Sequence, residues 1–231
     1  MDSAMYRRQD VAAEQQRFMT KVYGWMSFAL LVTGFVAYEV SASPEVTGFL
    51  FGNMIVFYGL LVGELVLVMV LAGLLAKMSA AMATFVFIFY SILNGITFSA
   101  IFIIYTTESI ASTFLITAGT FGVMSFYGYV TKADLTRVGN ILFMALVGLV
   151  IASVVNIFMK SETIYWLTTY AGVVIFAGLT AYDTQKIKNM NIIGNEGTGE
   201  DRKEAIMGAL ALYLDFINLF LYLLRLFGRR R

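Results

Sequence analysis

Met54-Ile-Val-Phe-Tyr-Gly-Leu-Leu-Val-Gly-Glu64-Leu-Val-Leu-Val-Met-Val-Leu-Ala-Gly-Leu-Leu-Ala76 is the stretch whose reading decides the fold of this chain. One charged side chain, Glu64, interrupts a run otherwise made of apolar residues, glycine and a tyrosine. The hydrocarbon core of a bilayer is about 30 Å thick and a helical residue rises about 1.5 Å, so a helix of this length crosses it. Sustained alternation of polar and apolar positions is absent, which argues against a barrel strand.

Working outward, six further runs of similar character lie at 22–40, 80–104, 110–130, 139–159, 164–185 and 206–227. The expected fold is therefore all-α, a polytopic membrane helix bundle with seven transmembrane helices. Composition agrees. Hydrophobic residues make up 59% and charged residues 13% of the chain, against about 25% charged in soluble domains. A net charge of +1 offers no basic groove for nucleic acid. Val22 to Tyr38 is too long for the apolar region of a signal peptide, so the first span is expected to be a start-transfer anchor.

The chain is expected to comprise a cytosolic N-terminal tail over 1–21 and a single transmembrane domain over 22–231. A mobile cytosolic loop is expected at about 189–204, where Asn, Gly and charged residues gather. Pro44, the single proline, falls in the first loop, so bends in the spans must come from glycine or broken hydrogen bonding. Basic residues set the orientation. Arg7, Arg8, Arg17, Lys21, Lys77, Lys132, Arg137, Lys186, Lys188, Arg202 and Lys203 fall on one side and Lys160 on the other, eleven against one. The N-terminus is thus expected in the cytosol. Arg225, Arg229, Arg230 and Arg231 go against this pattern if the last segment crosses fully. That segment either spans or re-enters and returns its tail.

The absence of cysteine and histidine removes thiol catalysis, thiolate metal sites, the commonest general base and the usual pH switch. A conventional enzyme is not expected. Any sensing of pH near neutrality falls to carboxylates, and three of these lie within spans: Glu64, Asp183 and Asp215. Ionisable groups there are costly and normally face a cavity or a partner. Asp215 lies about 13 Å into the last helix, with Asn218 and Tyr222 on its side and Gly208 further back on the same stripe. Asp183 lies toward the cytosolic end of the sixth span. If the two aspartates meet, they cannot both ionise cheaply, and they titrate as a unit. Glu64 follows Gly59-x-x-x-Gly63, a weak signal of close helix approach. Lys77, about 20 Å further along that helix, is out of reach of Glu64 but in range of Asp183 across helices. Asn94 is expected to make an interhelical hydrogen bond.

Gly178-Leu-Thr-Ala-Tyr-Asp-Thr-Gln-Lys186, Ala209-Leu-Ala-Leu-Tyr-Leu-Asp-Phe-Ile-Asn-Leu-Phe220 and Leu224-Arg-Leu-Phe-Gly228 closely resemble the Bax inhibitor family, also called transmembrane Bax inhibitor motif proteins. The resemblance extends from about Val22-Tyr-Gly-Trp25 to Gly228 and is strongest to the bacterial branch. It implies six helices around a central hydrophobic seventh, in the bacterial inner membrane. It also implies a pH-sensitive calcium leak controlled by an aspartate pair, here Asp183 and Asp215, with Glu64 matching an acidic position of the second helix. Lys77 stands for a basic latch, displaced by a couple of residues and lacking the two-pronged geometry of arginine.

The leading expectation is a pH-gated cation leak, with calcium the favoured ion because it takes oxygen ligands. Glu64 and Asn218 would line the path, Asp183 and Asp215 would form the gate and hold calcium transiently, and Lys77 would latch. Partners are then the lipid bilayer, calcium ions and protons, with no tightly bound cofactor. An interaction protein that regulates a membrane protease or stress response is the alternative. An intramembrane aspartyl protease fits less well, because Asp215 follows Leu212-Tyr213-Leu214 where Gly-x-Gly-Asp is required. A retinal pump lacks its lysine in the last span.

Overall fold

The computed structural model describes residues 2–231, with the side chains of residues 2–10 and 76 outside the description. Arg7 and Arg8 are among those side chains. Eight α-helices follow one another: α1 Asp2–Ser41, α2 Pro44–Gly52, α3 Met54–Leu74, α4 Ala80–Ile104, α5 Thr107–Val130, α6 Thr136–Met159, α7 Glu162–Met190 and α8 Gly199–Phe227. A single 3-10 turn, Leu75–Lys77, follows α3. Seven of the helices are long and apolar enough to cross a membrane, and they coincide with the seven runs read from the sequence.

Two differences have physical causes. The polar segment before residue 22 joins α1, because Phe18, Met19 and Val22 are buried on one face of that helix. The first loop contains α2, which Pro44 opens at a position where its missing N–H costs nothing.

The helices form two compact units, and α8 contributes residues to both: the first holds the chain up to Ile104 with Met190–Tyr213, the second Tyr105–Asn189 with Leu214–Arg231. In the first unit α1 packs along α4. Gly95 allows the approach, since a Cβ there would lie 2.8 Å from the Thr33 carbonyl and 2.7 Å from Val36. Thr33 turns its hydroxyl to the Ser91 carbonyl at 2.9 Å and to the Tyr213 hydroxyl at 2.8 Å. Tyr213 is fully buried and meets Phe87 and Tyr90 edge-on. The Thr33 and Tyr213 hydroxyls are thus satisfied where they sit.

In the second unit, glycines bring α7 against its neighbours. Gly128 of α5 lies against the Ala181 carbonyl, Gly139 of α6 against the Tyr182 ring, and Gly172 of α7 against Tyr222. A carbon added at Gly172 would sit 2.6 Å from that ring, which stacks on Phe176 at 5.8 Å. The turn 131–135 is fastened from α7: Gln185 donates to the Ala133 carbonyl at 2.8 Å and accepts from the Leu135 N–H at 2.9 Å. Lys188 donates to the Tyr129 carbonyl at 2.9 Å.

The last segment is one unbroken helix of 29 residues, Gly199–Phe227, about 43 Å long at the usual rise. Its end is fastened to the start of α5: Thr106 N–H donates to the Arg229 carbonyl at 3.0 Å, and Tyr105 pairs with Arg230. Of the two readings left open by the C-terminal arginines, full crossing is the one that describes this helix. The last span is also the most enclosed, with 67% of its apolar window buried against 6% for α3 and α6.

Candidate functional site

Asp183 on α7 and Asp215 on α8 belong to the same unit, and their carboxyls lie near enough to interact. Two neighbouring carboxyls cannot both ionise cheaply, so such a pair favours keeping a proton on one of them. Asp215 is 5% exposed, and its Oδ2 has no hydrogen-bond partner among the described residues. Asp183 is half-buried and feels the charge of Lys186, three residues along the same helix. Asp183 is thus the less buried member of the pair and Asp215 the more enclosed one.

The surroundings of the pair are largely apolar and tightly fitted. Phe216, next to Asp215, lies 5.4 Å from the rings of both Phe114 and Phe121. Thr184, next to Asp183, shares a hydrogen bond of 2.9 Å with Ser125 of α5. A buried polar group without such fitted partners is costly, which makes the Asp215 carboxyl the energetically costly point of this packing.

The remaining sequence-picked residues are placed differently. Glu64 sits in the first unit, half-buried, and accepts the hydroxyl of Thr97. Lys77 is exposed in the 3-10 turn of that unit. Asn218 donates to the Leu214 carbonyl of its own helix at 2.8 Å, and Tyr222 is engaged with Phe176 and Gly172. The stripe read on α8 is therefore partly packing. Asn94 differs from its expectation: its amide donates to the Tyr90 carbonyl one turn back, at 3.1 Å, because that carbonyl is nearer than any group on another helix. Among the described residues no group of three or more Asp, Glu, His or Cys forms a metal cage.

Sequence reading missed Thr97 and Gln185. Thr97 carries no signal apart from a polar position in a span, and Gln185 borders the Asp183 motif without a period of its own. It also missed the ion pairs of the α7–α8 connection. This connection, expected over 189–204, is confined to residues 191–198. Arg17 of α1 grips Glu196 there with its Nε at 2.9 Å and Nη2 at 2.9 Å. Arg17 holds the Glu196 carboxyl below its ordinary range.

Comparison with known proteins gives a consistent picture. The family described as "Inhibitor of apoptosis-promoting Bax1" matches residues 15–231. The "Inner membrane protein YbhL" of Escherichia coli (strain K12) is 55% identical over 217 residues, covering 94% of this chain and 93% of that protein. A protein of Borreliella burgdorferi is 46% identical, covering 94% of each chain. A protein of Deinococcus radiodurans is 40% identical, covering 96% of this chain and 97% of its own.

Proposed function

The chain belongs to the Bax inhibitor family of membrane proteins, and on that premise we propose that it is a pH-sensitive cation leak of a bacterial inner membrane, with calcium as the transported ion. The gate in this reading is the pair Asp183 and Asp215. The observation that carries it is that two carboxyls, one on α7 and one on α8, interact with each other, the second on a residue only 5% exposed. A single shared proton links the two helices. Loss of that proton sets two carboxylates side by side, which repel strongly where water is scarce. A second proton removes the charge that strengthens the bond. Either departure loosens the link, so the pair acts as a unit whose state follows pH.

The ion's path is read from the remaining polar positions. Glu64 offers a carboxyl and Thr97 a hydroxyl; Asn218 offers its amide oxygen. Lys77 remains the proposed latch. We infer a cytosolic N-terminus from the basic residues of the tail and loops, eleven on that side against Lys160 on the other, the four C-terminal arginines going against the pattern. No step of this reading calls for catalysis; the protein acts as a conduit.

Calcium entry into proteoliposomes, at about pH 6 and about pH 8 where such a pair can titrate, tests the proposal. The account expects flux that differs between the two values, and loss of that difference in Asp183→Asn or Asp215→Asn. Flux no greater than in empty liposomes, with folded protein, would overturn the leak and favour the interaction-protein reading.

A further inference from the structure

The first unit contains a charged assembly that the gate does not use. Glu14, Arg17 and Lys21 lie three and four residues apart, so they share one face of α1. Each meets the α7–α8 connection. Glu14 Oε1 accepts the Gly194 N–H at 2.7 Å. Arg17 donates to both oxygens of Glu196, at 2.9 and 3.1 Å from Nε and at 2.9 Å from Nη2. Lys21 Nζ lies 2.7 Å from Asp201 Oδ2 and 3.7 Å from Glu196 Oε1.

The connection is shaped to receive these groups. Gly194 and Gly197 have φ of 91° and 82°, a backbone that glycine adopts freely and other residues rarely do. Asp201 is 4% exposed and accepts the Gly197 N–H at 2.8 Å, while its own N–H donates to the Thr198 hydroxyl at 3.2 Å. Asp201 thus starts α8 and receives Lys21 at once. Asn195 donates to Glu204 Oε2 at 3.2 Å, closing the loop on the first turns of α8. Exposed ion pairs taken singly contribute little, but a two-pronged Arg–carboxylate pair with a half-buried neighbour is a geometric lock.

We propose that the Glu14–Arg17–Lys21 face of α1 is an autoinhibitory clasp, holding the short connection 191–198 so that α7 and α8 keep the register in which Asp183 meets Asp215. The link to the gate is covalent continuity: the connection is the end of one aspartate-bearing helix and the start of the other. This regulatory role rests on the leak reading above; the mechanical role does not.

The clasp and the gate respond to different conditions. Glu196 faces Arg17, Lys21 and Asp201, and Arg17 keeps its carboxyl ionised below the ordinary glutamate range. A carboxylate with a lowered value contributes above its unfolded value and loses the contribution only as pH falls through the lowered one. Between about pH 6 and about pH 8 the clasp therefore stays closed, and pH in that window acts through the aspartates. High salt weakens the clasp, since its charges are partly exposed.

Charge exchange tests this. Arg17→Glu, Glu196→Arg and the double exchange are compared in the full-length protein, by amide hydrogen exchange and by calcium flux. Each single variant is expected to exchange several-fold faster over 191–198 and over the α7 turns around Asp183, and to leak several-fold more at both pH values. The double exchange is expected to restore both readouts. Faster exchange confined to 191–198, or unchanged leak in single variants of a protein whose wild type conducts, would overturn the proposal. If wild type carries no flux, the leak reading falls instead, and exchange around Asp183 alone decides whether the clasp holds α7. A single variant that fails to fold is judged through the double exchange: failure of that variant too overturns the pairing.

Discussion

Asp215 is a buried carboxyl on an apolar helix, and the charged neighbour it feels is another carboxyl, Asp183. Its sequence neighbours announce the burial, because Leu, Phe and Ile surround it on the helix. They do not announce the partner. The pairing was legible only because Asp183 stands on the preceding span, and consecutive helices with a short link pack together. Gly128 is the opposite case. Nothing local marks it among 20 glycines, yet a methyl group there would run into the Ala181 carbonyl. Gly128→Ala is expected to lower thermal stability in detergent, by about 1–3 kcal/mol as for other overpacked sites. Gly119→Ala, with open space around the added carbon, is the control and should leave the melting temperature within a degree or two, or raise it slightly.

At the scale of elements, the apolar centres of all seven spans are legible, because a slab of hydrocarbon about 30 Å thick leaves a helix little choice of length or composition. The first, sixth and last helices run on past their apolar runs into polar sequence. The helix α2 and the early start of α1 were not read. Both lie outside the slab, where burial depends on contacts with distant residues rather than on a run of apolar ones. Gln185 and the clasp residues share this property: Arg17 and Glu196 are 179 positions apart, and no periodicity links them. Gln185→Ala would remove both hydrogen bonds to the turn 131–135. The expected cost is about 1–2 kcal/mol, with faster amide exchange confined to that turn. Unchanged exchange there would mean that Lys188 and the Tyr129 carbonyl suffice to hold it.

For the whole molecule, seven crossings put the two termini on opposite sides of the membrane. The basic tail Arg229-Arg230-Arg231 then stands against the charge rule, held by the backbone pairing of Tyr105 with Arg230. These three arginines, with Arg225 in the last turns of α8, make the ending ambiguous to read, since charge bias and apolar length point in different directions. The unbroken α8 decides for length. Reporter fusions should place the N-terminus in the cytosol and the C-terminus outside; a cytosolic signal from both ends would contradict the crossing of α8.

The claim on which the account rests is that Asp183 and Asp215 act as one titrating unit. The most direct test is a double-mutant cycle on pH-dependent calcium flux, with Asp183→Asn, Asp215→Asn and the double variant measured in proteoliposomes over about pH 5 to about pH 9. The account predicts that each single variant flattens the pH response as fully as the double variant does. A response that halves in each single variant, and vanishes only when both are combined, would show two independent groups and contradict it.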